Sequence, residues 1–448
     1  MHIVERSTSI PVNRVENIYM AVAGEDRISE LPVGILDNIL GFLPIQEAAR
    51  TVILSSSWKD IWFSLTKLNL GYGFFDYLCL KYSGAEGLNS ESPIFDVINK
   101  ILMRHNGPIH KIVFEFSGEV LEFISSEEFD FEDIANLISD NLNRWFLLLT
   151  QNGVEEIGIS YYMDIEVRCR VPNCIFSCPT RKRLKLDNVS VELINAYCVL
   201  PNVTSLFLQY VDFKPSTCSD YVVYLPILEG LTFVKCYKIF YFNIVAPKLG
   251  SLEIILPCCD YCKEFGVLPP NLDLRSISSL NLECSTCCFK VFIEELNRVG
   301  QPFALNVERL KLCISSDNIC LPDIINSSAF IHLLRVCPKL CELDICDQLD
   351  IYDVEFLRLN RKDFVLMEEL SSVARTLKML HTLKFSYFHG LGSEMQCIKV
   401  LLSCFPVIEK VVIVRGWIHS DEEFKITQEL LRFPRASEKV EIFYILEY

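Results

Sequence analysis

The residues that come closest to a chemical site are cysteines. The chain carries 20 of them in 448 residues. "CCDYC" supplies Cys258, Cys259 and Cys262, and "CSTCC" supplies Cys284, Cys287 and Cys288. Cys259/Cys262 and Cys284/Cys287 form two C-x2-C pairs at a separation suited to tetrahedral zinc. The stretch between them, "LPPNLDLRSISSLNL", carries a strand pattern, which leaves no compact knuckle for a metal to close. The expectation is therefore no metal and no cofactor, with the cysteines acting as reduced, buried small hydrophobes. Nucleophilic chemistry has less support still. The seven histidines (2, 105, 110, 332, 381, 389, 419) are scattered. No G-x-S-x-G, H-E-x-x-H or Gly-rich phosphate loop occurs, so the chain is not expected to be an enzyme.

Charge narrows the partners. The formal net charge is −16, and no long basic run is present. Contact with nucleic-acid phosphates needs clustered Lys and Arg, so neither nucleic acid nor an anionic membrane surface is expected. No window reaches the length of uninterrupted apolar sequence that a spanning helix requires. The first residues lack a secretory h-region, which places the expected location in the nucleus and/or cytoplasm.

The elements that would carry a function begin at "ISELPVGILDNILGFLPIQEAARTVILSSSWKDIW", Ile28 to Trp62. Pro32 suits a helix start, and Ile35, Leu36, Ile39, Leu40 and Leu43 follow helical spacing. Pro44 stops that helix and opens the next. Ser55 or Ser56 can cap a third helix, in which Trp58, Ile61, Trp62 and Leu65 repeat at three and four. Three such short helices rarely hold a core alone, and without a cysteine there is no staple. A stripe of Leu31, Pro32, Ile35, Ile39, Leu40, Leu43 and Pro44 is expected to meet a partner, with Val52, Leu54, Trp58 and Trp62 as internal core.

Residues 1–24 read as a tail and 71–93 as a Gly/Ser-rich loop. Two helix–turn–strand units follow, turning at Asn106–Pro108 and Asn152-Gly153. Acidic "SSEEFDFED" (125–133) reads as a helix start, with acids near its positive end. Then a pattern recurs. Pro201 is followed by Val203, Leu206 and Leu208; Pro226 by Leu228, Leu231 and Phe233; Pro247 by Leu249, Leu252 and Ile254. Pro338 and Pro406 repeat it. Pro179 keeps Leu184 and Leu186 but has Arg181 where the first apolar residue belongs. This matches L-x-x-L-x-L, the leucine-rich-repeat pattern in which each unit stacks a short strand beside the last. Strands near Leu280, Leu310 and Leu383 lack the proline, and drifting spacing predicts an irregular solenoid.

With these residues in view, Ile28–Trp62 resembles an F-box of the plant kind: Leu-Pro, Ile-Leu, Ile-Leu, Leu-Pro, then Arg-Thr, Leu-Ser, Trp and Trp. Ser56-Ser57 stand where that family commonly has Lys-Arg. "NKILMRHNGPIHKIVFEF", "NRWFLLLTQNGVEEIGI" and "VPNCIFSCPTRKRLKL" resemble the segments joining F-box to repeats, and "IKVLLSCFPVIEKVVI" with "ITQELLRFPRASEKVEIFYI" resembles the FBD region. The resemblance implies an α/β chain: a three-helix F-box at 25–70, irregular leucine-rich repeats at 94–370 and an FBD-like region at 371–448. It also implies a substrate receptor, docked through the F-box on a Skp-family adaptor and so on a cullin–RING ubiquitin ligase, with an unidentified protein held on the repeats. The alternatives are a scaffold with a degenerate F-box, or a receptor gated by a small ligand.

Overall fold

The structure, a computed structural model, describes residues 28–83, 93–124, 131–161, 168–193, 197–216, 221–256, 267–298, 304–315, 327–348, 367–416 and 420–446. The expected tail at 1–24 lies outside them.

The repeat pattern builds one parallel sheet. Its thirteen strands are β1 Lys67–Leu70, β2 Lys111–Phe116, β3 Glu156–Tyr161, β4 Arg183–Asp187, β5 Ser205–Gln209, β6 Gly230–Val234, β7 Ser251–Ile255, β8 Ser279–Cys284, β9 Arg309–Ser315, β10 Glu342–Gln348, β11 Thr382–Phe388, β12 Lys410–Arg415 and β13 Glu441–Leu446. They pair strictly in chain order. Period-two alternation then sets two continuous apolar rows. In register across the middle of the sheet run Leu184, Leu206, Leu231, Leu252, Leu280, Leu310 and Leu343. Two residues on run Leu186, Leu208, Phe233, Ile254, Leu282, Leu312 and Ile345. All are buried. The ladder continues without a break from β10 through β11 and β12 to β13. Every consensus strand of the sequence reading is present, including those without a proline.

What covers the buried face changes along the chain. Toward the ends helices do so: α5 Pro93–Arg104, α7 Phe131–Gln151, α8 Thr286–Arg298, α9 Ser328–Val336 and α11 Gly392–Cys404. Between β4 and β7 the units are shorter. There, short parallel strands replace helices: Tyr197–Val199, Val222–Tyr224 and Ile244–Val245 form one set, and Ser190–Val191 with Asp212–Phe213 another.

Arg181 is the exception in this core. It occupies the position of Val203, Leu228, Leu249, Leu340 and Ile408, and like them it is 0 % exposed. None of its three side-chain nitrogens has a hydrogen-bond partner among the described residues. Burial pushes its guanidinium down to about 10; the thiols of Cys178, Cys174 and Cys198, most strongly Cys178, oppose that in part.

Two expectations fail here. The 71–93 loop begins instead with helix α4, Tyr72–Tyr82, because Phe74, Phe75, Leu78 and Cys79 find a core to enter. Packing overrides two N-terminal glycines. Second, the cysteines are not all reduced. Apart from Cys313 and Cys346, ten described cysteines are buried, as expected of small hydrophobes, but these two form a disulfide. The two sit opposite each other on neighbouring strands, as the register requires.

Candidate functional site

The N-terminal unit consists of α1 Val33–Leu40, α2 Ile45–Arg50, a 3-10 turn Thr51–Ile53 and α3 Ser56–Trp62. Pro32 and Pro44 stand at the N-caps of α1 and α2 with extended ψ angles, where the residue's missing N–H costs nothing. Ser55 is the N-cap of α3, but its side chain makes no capping bond.

This unit is not free-standing. Its core residues Leu36, Leu40, Ile45, Ala48, Trp58, Ile61 and Leu65 belong to the same apolar cluster as Leu68 and Leu70 of β1. Asp37 ties α1 to the start of β1 by accepting hydrogen bonds from Thr66 N at 2.8 Å and Thr66 Oγ1 at 2.6 Å. Lys67 Nζ donates to Asn38 Oδ1 at 2.9 Å. His105 bonds the Leu65 carbonyl at 2.7 Å, and Asn106 N donates to Phe63 O at 2.7 Å. The sheet therefore supplies the missing core that three short helices lack.

That docking decides which apolar residues remain outside. Ile35 and Ile39 are exposed and Pro32 and Pro44 are open. Leu31 and Leu43 are half-buried. Leu40, placed in that stripe from helical spacing, is instead 1 % exposed and packs inward. Among the expected internal residues, Trp58 is buried, with Nε1 donating to Ser29 Oγ at 2.7 Å. Trp62 and Val52 are half-buried. Leu54 is corrected outright: it is 62 % exposed, because the 3-10 turn before it carries the chain away from the core. The sequence reading also missed Val33, Phe42 and Ile53, of which Phe42 is 84 % and Ile53 88 % exposed. Long apolar side chains so open, clustered in one small unit, mark an interaction surface. Ser56 and Ser57 are exposed at the start of α3.

A second surface is the sheet face turned away from the core. Its first strands and the turn after α1 enclose a cleft of about 870 Å³, lined by Phe42, Lys67, Lys111, Arg183, Lys185 and Phe207 among others. Lys67 Nζ lies over the Phe42 ring and Lys185 Nζ over the Phe207 ring, at 5.7 and 5.5 Å. Glu156 lies between Lys111 and Arg183, at 3.6 and 3.1 Å. Farther along, a smaller cleft of about 320 Å³ is lined by Glu253, Asn281, Arg309, Lys311, Glu342 and Asp344. Of the zinc candidates, Cys259 and Cys262 lie outside the described residues; Cys284 is buried at the end of β8 and Cys287 is exposed on α8. Among the described residues no helix is long and apolar enough to cross a membrane.

A short helical unit with an open apolar surface, fixed to a parallel repeat sheet, defines the class of protein-interaction adaptors. Comparison with known proteins agrees. Residues 28–69 match the F-box domain family, and residues 142–295 match the family described as "FBD-associated F-box protein At5g56370, LRR repeats". The F-box/FBD/LRR-repeat protein At1g13570 of Arabidopsis thaliana is 24 % identical over 440 residues, covering 94 % of this chain and 98 % of the relative. The FBD-associated F-box protein At5g56370 of the same plant is 23 % identical over 461 residues, covering 94 % of this chain and all of the relative. The F-box protein At4g09920 reaches 29 % over 240 residues, 52 % of this chain and 67 % of the relative. The chain is thus similar to the plant F-box/FBD/LRR-repeat proteins, in its F-box segment and its repeats alike. F-box domains generally bind Skp1-type adaptors, and F-box/LRR proteins are typically non-enzymatic.

Proposed function

We propose that the chain is the substrate-recognition subunit of a Skp–cullin–F-box ubiquitin ligase. It docks on the adaptor through the F-box and holds a protein substrate on the open face of the repeats. The observation that carries this is the division of the F-box into two sides. Leu36, Leu40, Ala48 and Ile61 are committed to the sheet, whereas Val33, Ile35, Ile39, Phe42, Ile53 and Leu54 are left in water. Among the described residues, that set is left exposed in one small unit, as an interaction surface is. The receptor does no bond chemistry; it raises the local concentration of substrate lysines near the charged conjugating enzyme. Residues 28–70 serve as the docking unit, and the chain acts in the nucleus and/or cytoplasm. Co-purification of the full chain with a Skp1-type adaptor and a cullin tests this directly. Adaptor binding without cullin recruitment would favour a scaffold instead.

A second reading has one observation behind it. The larger cleft brings cations and aromatics from F-box and repeats to one place, beside Glu115, Glu155 and Glu156, a mixed polar and aromatic lining that a small ligand could occupy. A ligand that binds the folded form raises its melting point, so thermal-shift screening against plant hormones separates the two readings.

A further inference from the structure

Cys313 and Cys346 are register partners on β9 and β10, with Cα atoms 4.6 Å apart, within the span a disulfide can bridge. Two-residue alternation puts Cys313 on the face of Arg309 and Lys311, and Cys346 on the face of Glu342 and Asp344, four residues that line the smaller cleft. On the far side, Cys346 is in register with Ser386. The Ser386 hydroxyl donates to Asp344 at 2.9 Å, and Lys384 Nζ reaches the same carboxylate at 2.9 Å. The cysteines thus follow directly, on the same face, the residues that line the cleft, beside a polar cluster that fixes its Asp344 wall.

We infer that Cys313 and Cys346 form a reversible redox site beside this cleft, closed by a low-molecular-weight disulfide and opened by the matching thiol. In closing, the thiolate of one cysteine attacks the small disulfide, forms a mixed disulfide and releases one small thiol. The second cysteine then attacks the protein sulfur of that mixed bond and releases the other. Two protein thiols become one disulfide, the small disulfide becomes two thiols, and the two protons pass to them. Reversibility follows from the setting. The strands are already paired from Arg309 to Ser315 against Glu342 to Gln348, so opening the bridge leaves the ladder intact. Both sulfurs belong to residues only 1 % exposed, so exchange waits for local opening of the chain and is slow. Closed, the bridge forbids β9 and β10 from parting and stiffens the wall formed by Arg309, Lys311, Glu342 and Asp344.

The test uses the purified full chain, incubated in glutathione buffers from fully reduced to fully oxidised. Samples are quenched in acid, alkylated and mapped by mass spectrometry. The expected result is a linked Cys313–Cys346 peptide that rises with oxidised glutathione and disappears again in reduced glutathione without denaturant. Amide exchange over 309–315 and 342–348 should slow at least threefold in the linked form, and Cys346→Ser should show no such dependence. Four results would overturn the inference: no linked peptide, glutathione left singly on either cysteine, a link that only denaturant allows to be reduced, or exchange rates indifferent to the link. None depends on adaptor binding, so the redox site and the ligase reading stand or fall separately.

Discussion

Replacing Arg181 by methionine should make the protein more stable. The position is a core site in the other units, where Val203, Leu228 and Leu249 are fully buried. A guanidinium there gives up its water without gaining a carboxylate, which is costly. Burial lowers its proton affinity from the ordinary arginine range to about 10. At 1.36 kcal/mol for each tenfold change in affinity, the buried charge costs on the order of 3 kcal/mol. The sign follows from proton counting. From about pH 10 up to the ordinary arginine range the unfolded chain binds more protons than the native one, so stability is regained as pH rises through that window. Below it the whole cost is present, pH 7 included. Methionine keeps an unbranched stem and adapts to irregular space, so packing should lose no more than about 1 kcal/mol. The net expectation is a gain of roughly 1–3 kcal/mol. It should appear as a higher urea midpoint at unchanged slope, with the advantage over the parent narrowing above pH 10. A variant at least 1 kcal/mol less stable than the parent would refute the reasoning and show that the guanidinium supports the core.

Other outcomes follow from the same structure. Ile35→Ala/Ile39→Ala should weaken adaptor binding by about a hundredfold or more, since each exposed side chain carries roughly 1.5–3 kcal/mol of burial and 1.4 kcal/mol is tenfold; titration calorimetry reads this, and circular dichroism should stay unchanged. Leu40→Ala should do the reverse, costing about 2–5 kcal/mol of fold stability in chemical denaturation. Asp37→Ala strands the Thr66 N–H and hydroxyl and should cost about 1–3 kcal/mol, with faster amide exchange at 63–70. Ser56→Lys/Ser57→Arg should raise the association rate with an acidic adaptor at low salt and lose that advantage at high salt; an unchanged rate at low salt would mean that α3 lies outside the docking surface.

Periodicity made the repeat sheet legible, because a row such as Leu206, Leu231 and Leu252 satisfies a local rule and a global one together. It also located the F-box helices. It could not orient them. Ile39 and Leu40 are neighbours on one helix with similar side chains, and only the position of β1 decides that Leu40 turns inward and Ile39 faces water. Leu54 failed for the same reason: its exposure depends on a 3-10 turn that helical spacing does not anticipate. Helix α4 was hidden by glycines whose cost the burial of Phe74 and Phe75 offsets. The disulfide left a trace that could have been read. In "LKLCIS" and "LDICDQ" the cysteine directly follows the last apolar position of its repeat, which places both at the same height on adjacent strands.

The way β1 serves the F-box and the sheet at once has a geometric consequence. With Asp37, Thr66 and Asn106 clasping the two parts, no hinge separates the docking unit from the repeats, and the ladder becomes a ruler graduated by strands. Each strand adds roughly 4.8 Å. A cargo seated at β12 therefore lies about 50 Å farther along the ruler than one seated at β2. In the proposed ligase, which of its lysines come within range of a fixed conjugating enzyme would be set by the strand it occupies, so sliding a binding motif by a few repeats would change the sites modified while leaving affinity alone.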